Sequence, residues 1–122
     1  MSSTREVVIW HNPRCTKSRQ TLARLEAAGV TPTVRRYLDD PPTLAELRAA
    51  AGRLEGGAAA LIRRKEAEFR ELGLAASLAA GDDDALLRAM AAHPRLIERP
   101  LVLRGARAAL GRPPENVDAL LE

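Results

Sequence analysis

The order of apolar runs and helix-period segments in this chain of 122 residues predicts an α/β fold. A β-branched run, Val7–Trp10, precedes a helix-period segment and then a second short strand, which is the pattern of a β-α-β unit. Near the C-terminus, two short apolar runs flank the turn Gly105-Ala106 and precede a last helix. The predicted order is therefore β-α-β, a helical block, and β-β-α.

The first half of the predicted sheet comes from a single β-α-β unit. We predict a strand at Glu6–Trp10 that is buried on both faces, because its apolar residues are consecutive. A helix runs from about Lys17 to Ala28, and Gly29 ends it in a left-handed conformation. The run Thr33–Tyr37 alternates imperfectly, so we expect a strand near the sheet edge, parallel to the first.

The middle of the chain is helical and rich in alanine. Thr43 and Glu46 form a capping box for a helix that ends at Gly56-Gly57. We predict two further helices, at about residues 58–70 and 84–92. We interpret this block as an insertion over about residues 43–92, within a single domain that spans residues 1–122.

The C-terminal part completes the predicted sheet. A strand at Pro100–Leu103 and a weaker partner at Arg107–Leu110 are spaced as a hairpin. The last helix begins at the proline pair 113–114, and we expect Val117, Leu120 and Leu121 to face the core.

Composition excludes several classes of protein. The N-terminal residues 1–6 lack the features of a secretory signal, and no stretch approaches the ~18 apolar residues of a membrane span, so we expect a cytoplasmic protein without a membrane partner. The net charge is +3, but acidic residues are spread throughout and only three residues are aromatic, which argues against nucleic acid as a partner. Two histidines and one cysteine, far apart in sequence, predict no metal site.

Cys15 is the single cysteine and lies in the turn between the first strand and its helix. The helix N-terminus and the cations Arg14, Lys17 and Arg19 favour thiolate, and such surroundings lower a cysteine pKa from ~8.5 to between ~3.5 and ~7.5. We therefore predict a nucleophile, the alternative being a buried cysteine that packs as a small hydrophobe. From the residues alone, His11 is either a group that tunes this pKa or a cap.

Three arginines stand out among the 19 basic residues. Arg99 and Arg112 each precede a proline, which favours extended backbone, so both side chains should project from loops. Arg63 falls on the predicted helix 58–70. The alternative for each is a solvated surface arginine, and periodicity alone favours that alternative for Arg63.

Five motifs follow one another along the chain. They are His11-Asn12-Pro13-x-Cys15-x-x-Ser18-Arg19-x-Thr21-Leu22, Tyr37-Leu38 with Pro41-Pro42-Thr43, Leu61-Ile62-Arg63 with Glu71-Leu72-Gly73-Leu74, His93-Pro94-x-Leu96-Ile97-x-Arg99-Pro100, and Gly111-Arg112-Pro113. From about Val7 to the C-terminus, the chain resembles the arsenate reductase family of the glutaredoxin-coupled, thioredoxin-fold type. Its loop residues Arg14, Thr16 and Lys17, which make the loop more cationic, bring it nearest to an uncharacterised arsenate-reductase-like branch of that family.

The resemblance implies a thioredoxin-like fold with a helical insertion and a defined set of site residues. Their implied roles are catalytic Cys15, assisted by His11; an oxyanion clamp of Arg63, Arg99 and Arg112; supporting Asn12, Ser18 and Arg19; and Pro100 as the cis proline of the fold. It also implies that arsenate is reduced to arsenite through a thiol–arsenate adduct, with glutathione as co-substrate, glutaredoxin as partner and no bound cofactor. A chain with one cysteine cannot resolve such an adduct by an internal disulfide, so an external thiol is required. We expect a monomer.

Other functions compete with this interpretation. A phosphatase loop of the usual kind needs an arginine six positions after the cysteine, where this chain has Thr21. A monothiol transferase acting on glutathionylated proteins would suit Cys15 followed by Ser18, but it would not need an arginine clamp. An RNA-polymerase-binding redox regulator of the same fold often uses a Cys-x-x-Cys switch, which Ser18 removes.

Overall fold

The computed structural model describes residues 6–121; residues 1–5, which contain most of the stretch expected to lack a secretory signal, lie outside the described part, as does residue 122. The strands are β1 (Val7–Trp10), β2 (Thr33–Arg35), β3 (Leu101–Arg104) and β4 (Arg107–Leu110). The α-helices are α1 (Thr16–Ala27), α2 (Leu44–Arg53), α3 (Gly57–Leu61), α4 (Ala67–Glu71), α5 (Leu74–Ala79) and α6 (Asp83–Ala92). Two 3₁₀ helices cover Pro94–Leu96 and Pro114–Leu120. Within residues 6–121, none of the helices has the length and hydropathy needed to cross a bilayer.

The chain divides into two compact units. The sheet unit contains the residues up to Asp40 together with those from Arg99 onward, and the helical unit is Pro41–Glu98. The helical unit therefore includes the whole of the insertion expected at about residues 43–92. That the two units make up a single domain stays a prediction.

The sheet unit has the predicted thioredoxin-like order. Its four strands are arranged β2-β1-β3-β4, with β1 parallel to β2 and antiparallel to β3, which pairs antiparallel with β4. In this register Ile9 lies between Val34 and Val102. The hairpin and the edge position of β2 are confirmed, although β2 ends at Arg35 rather than at the predicted Tyr37.

Helix α1 and the C-terminal 3₁₀ helix cover this sheet with apolar side chains. Ile9, Leu25, Val102 and Val117 are fully buried in one cluster. Each such side chain contributes about 1.5 to 3 kcal/mol through the burial of apolar surface. The final segment is the predicted helix in position but has 3₁₀ geometry. This packing fixes the position of α1, and therefore also the position of the turn that precedes it.

In the helical unit, the capping box at the start of α2 is confirmed. The Glu46 backbone N–H donates to Thr43 Oγ1 at 3.1 Å, and the Thr43 N–H donates to Glu46 Oε1 at 2.9 Å. Helix α6 begins one residue earlier than predicted and ends at Ala92. Its N-terminal amide of Ala85 is capped by the Asp82 carboxylate.

The prediction of one continuous helix at about residues 58–70 is wrong. Ile62 instead forms an antiparallel bridge with Ile97, and both side chains are buried. The Arg63 N–H donates to Leu96 O at 2.6 Å, and the Glu98 N–H donates to Leu61 O at 2.7 Å. These long-range bonds interrupt the helix into α3 and α4, so Arg63 lies between two helices rather than on one.

Candidate active site

Cys15 occupies the N-cap position of α1, in extended backbone conformation. The turn before it is closed by two bonds to Asn12: the Cys15 N–H donates to Asn12 O at 3.0 Å, and the Arg14 N–H donates to Asn12 Oδ1 at 3.0 Å. The thiol is partly exposed. The Cys15 side chain makes no capping hydrogen bond, but the N-cap position puts the thiol at the positive end of the helix dipole, as the sequence predicts.

The pKa of the Cys15 thiol is lower than that of an ordinary cysteine. Partial burial acts in the opposite direction and raises it, but hydrogen bonds from the backbone N–H groups of Ser18 and Lys17 lower it, as do the charge of Arg99 and a hydrogen bond from its side chain. The lowering contributions together exceed the effect of burial. The thiolate therefore forms at a lower pH than in a free cysteine.

His11 and Ser18 form a buried polar pair beneath the turn. The His11 Nδ1 and Ser18 Oγ atoms share a hydrogen bond of 2.7 Å, and Ser18 Oγ accepts the Asn12 N–H at 3.0 Å. The backbone N–H of His11 donates to Arg35 O on β2. Burial lowers the pKa of His11, and the charges of Arg36 and Arg19 lower it further, so this imidazole is neutral near pH 7. The imidazole therefore reaches the turn through Ser18.

Arg19 braces the outer side of the same turn. Its Nη1 donates to Pro13 O at 2.9 Å, and its Nη2 donates to Thr16 Oγ1 at 3.2 Å. Both acceptors flank Cys15 in sequence. The guanidinium is thus used within the turn, and the supporting role of Arg19 stays a prediction.

Arg99 and Arg112 lie at the same end of the sheet as Cys15, because Leu101 at the start of β3 pairs with both Trp10 and Leu110. Arg112 Nη1 lies 3.8 Å from Cys15 Sγ and donates to Arg99 O at 3.2 Å. Arg99 Nε is buried and has no hydrogen-bond partner among the described residues. The Arg99–Pro100 bond is cis, as the resemblance implies, and so is Arg112–Pro113. Two of the three predicted clamp arginines therefore lie beside Cys15.

Gly111 allows the segment that carries Arg112 to pack closely against α1. A Cβ at this position would overlap the Thr21 side chain and lie 2.8 Å from Pro100 Cγ. The Gly111 N–H donates to Pro100 O at 2.9 Å, and Thr21 Oγ1 donates to Lys17 O and approaches Gly111 O at 3.3 Å. Sequence reasoning missed this contact, for which the only local signal is a glycine directly before the arginine.

Arg63 lies in the helical unit and is paired there with acidic side chains. Its Nε is 2.8 Å from Glu66 Oε2, and its Nη1 is 3.8 Å from Glu98 Oε1. Sequence reasoning missed Glu66, although a spacing of three residues from Arg63 is a usable signal for an ion pair. The assignment of Arg63 to the clamp stays a prediction.

No metal centre accompanies these residues in the part of the chain that the structure describes. Between residues 6 and 121, no group of three or more His, Cys, Asp and Glu side chains could hold a metal ion.

Comparison with known proteins shows the family to which this chain belongs. The model of the ArsC family matches residues 10–120, which include Cys15, Arg99 and Arg112. The chain belongs to the ArsC family. Its ArsC match also covers the helical unit with Arg63.

The similar proteins described below each align with nearly the whole of this chain. The arsenate reductase of Neisseria meningitidis is 48% identical over 117 residues, which cover 95% of this chain and 98% of the relative. The uncharacterised protein YfgD of Escherichia coli is 45% identical over 115 residues, covering 93% and 95%. The solved structure of the arsenate reductase from Vibrio cholerae has a TM-score of 0.85 and 46% identity, covering 94% of this chain and 97% of that one. The thioredoxin-like fold of the family is thus confirmed for this chain.

Proposed function

We propose that this protein reduces arsenate to arsenite, with Cys15 as the nucleophile and Arg99 and Arg112 as ligands of the oxyanion. The observation that carries the proposal is the position of Arg112 Nη1, 3.8 Å from a thiol whose pKa is lowered. Support also comes from relatives named arsenate reductase at 48% identity. A thiolate beside two guanidinium groups suits an electrophile that is itself an anion.

Attack of the thiolate on arsenate joins two anions, so repulsion is the first obstacle. Arginines around the oxygens reduce this repulsion and hold the arsenic in line with the sulfur. Guanidinium groups match tetrahedral oxyanions because their N–H groups can bond two oxygens at once. The unpartnered Arg99 Nε supplies one buried donor for this purpose. In this step an As–S bond forms, one As–O bond breaks, and the oxygen leaves as water or hydroxide.

Reduction then needs two thiols from outside the chain. Cys15 is the single cysteine, so it has no partner for an internal disulfide. In the proposed cycle glutathione enters the adduct, and glutaredoxin removes the glutathionyl group and releases arsenite. Overall, arsenic gains two electrons, two thiols become one disulfide, and one oxygen of arsenate leaves as water. Glutathione is a co-substrate in this proposal, and no bound cofactor is required.

The proposal includes Arg63 as the third ligand of the oxyanion, as the family resemblance implies. It also includes a cytoplasmic location, because the cycle consumes reduced thiols, which that compartment maintains. A monomer is sufficient, since Cys15, Arg99 and Arg112 come together within one sheet unit. No nucleic acid or membrane takes part.

A coupled assay tests the proposal. The purified protein is supplied with arsenate, glutathione and glutaredoxin, and arsenite formation is followed beside a parallel reaction on a glutathionylated protein without arsenate. We expect arsenite to form only when all three are present, and the Cys15→Ser variant to form none. Activity on the glutathionylated protein alone would favour the monothiol transferase. Binding to RNA polymerase without either activity would favour the regulator.

A further inference from the structure

Arg63 is held by carboxylates within the helical unit. Its contact with Glu66 at 2.8 Å is too bent to be a hydrogen bond and is therefore an ion pair. Both side chains are largely buried, with 21% and 16% of their surface exposed. Ion pairs that are shielded from water are stronger than those on the surface, so Glu66 restricts the orientation of Arg63.

The carboxylate of Glu66 is used for ion pairs and not for capping the helix that follows it. Glu66 is the N-cap residue of α4, and its side chain makes no capping hydrogen bond. Its second oxygen, Oε1, lies 3.4 Å from Arg95 Nη2 instead. Both carboxylate oxygens of Glu66 thus face arginines rather than the helix end.

We propose that Glu66 is a positioning residue, which fixes Arg63 so that its remaining N–H groups can bind an oxyanion. The inference rests on the proposed function, in which Arg63 belongs to the clamp. An arginine side chain loses rotamer freedom when it binds a ligand, and an arginine held beforehand has already lost part of it. Guanidinium carries five N–H groups, so pairing with Glu66 leaves donors for a second anion.

A different effect of Glu66 predicts the opposite result. If the carboxylate only cancelled the charge of Arg63, then removing it would strengthen the attraction of any anion. Two substitutions separate the effects, because Glu66→Gln keeps the size and one oxygen acceptor whereas Glu66→Ala keeps neither. Positioning predicts that the KM for arsenate rises roughly fivefold in Glu66→Ala, with kcat little changed, and that Glu66→Gln recovers most of the loss. Charge cancellation predicts a lower KM in both variants.

The helical unit offers a matched control. Asp84 also bridges two arginines, at 2.7 Å from Arg48 Nη2 and 2.6 Å from Arg88 Nε. Asp84→Asn removes a more exposed carboxylate that also bridges two arginines and does not contact Arg63, so we expect an unchanged KM.

A readout without turnover keeps this inference separate from the proposed function. The Nε–H signal of Arg63 in a ¹⁵N NMR spectrum is assigned by its loss in Arg63→Lys. We expect this signal to be resolved in the wild-type protein and in Glu66→Gln, and to be broadened by exchange with water in Glu66→Ala. Absence of arsenate turnover by the wild type would contradict the proposed function, and the spectrum would still decide the positioning. An unchanged Nε–H signal and KM in Glu66→Ala, or a lower KM in both variants, would overturn the inference.

Discussion

The Ser18 hydroxyl oxygen lies 2.7 Å from His11 Nδ1, with both side chains buried beneath the turn that holds Cys15. Ser18 also receives the Asn12 N–H, and its own backbone N–H helps to lower the pKa of the Cys15 thiol. Ser18 therefore links the neutral imidazole of His11 to the turn whose backbone N–H groups lower the pKa of the Cys15 thiol.

Ser18→Ala should raise the pKa of the Cys15 thiol, because the Ser18 backbone N–H is one of the groups that lower it. The backbone N–H remains, but without the bonds to His11 and Asn12 it is no longer held toward the sulfur. The pH dependence of alkylation by iodoacetamide measures this pKa. Ser77→Ala, on α5 of the helical unit, is the control and should leave it unchanged. Equal pKa values in Ser18→Ala and the wild type would show that the turn needs no support from the hydroxyl.

Arg99→Ala and Arg112→Ala should each raise the KM for arsenate by about tenfold or more. Each removes charge-assisted hydrogen bonds to the oxyanion, which are typically worth about 1.5 to 3 kcal/mol. Arg99→Ala should also raise the thiol pKa, since the Arg99 charge and hydrogen bond lower it. Steady-state kinetics over a range of arsenate concentrations measures the first effect.

The exposed Arg107 on β4 provides the control for both clamp variants. Arg107→Ala removes the same charge from the same sheet unit, so we expect it to change KM less than twofold, in line with typical surface substitutions. Equal losses in all three variants would mean that net charge, rather than a clamp, attracts the substrate.

Stability should fall on mild acidification because His11 is buried in its neutral form. Its pKa is lower in the folded protein than the value of ~6.5 in the unfolded chain, so the unfolded state binds more protons between the two values. The free energy of unfolding should therefore decrease as the pH drops from about 6.5 to the folded pKa. Urea titrations at successive pH values measure this slope. It should persist in His93→Asn and disappear in His11→Asn; the reverse outcome would assign it to His93.

The features that the sequence predicted well depend on neighbours in the chain. The N-cap position of Cys15 follows from an adjacent strand and helix, and the capping box of Thr43 and Glu46 needs only three residues of spacing. The hairpin of β3 and β4 was predictable from its turn for the same reason. Where the deciding contact is local, sequence patterning was sufficient.

The features that were missed depend on distant segments. Nothing near Ile62 indicates that it pairs with Ile97 rather than continuing a helix, because its periodicity is helical on both sides. The approach of Arg99 and Arg112 to Cys15 likewise depends on how the sheet closes, and proline spacing predicted only that they lie in loops. It was the resemblance to a family, and not the pattern of residues, that predicted Arg99 and Arg112 close to Cys15.

The mass of the intact protein after a single turnover tests the central claim most directly. The reduced protein is mixed with arsenate and reduced glutathione, in the absence of glutaredoxin, and analysed with and without arsenate. We predict a gain on Cys15 that contains arsenic together with one glutathionyl group, and no gain in Cys15→Ser. An unmodified Cys15 in the presence of arsenate, or a glutathionyl group gained without arsenate, would contradict the account.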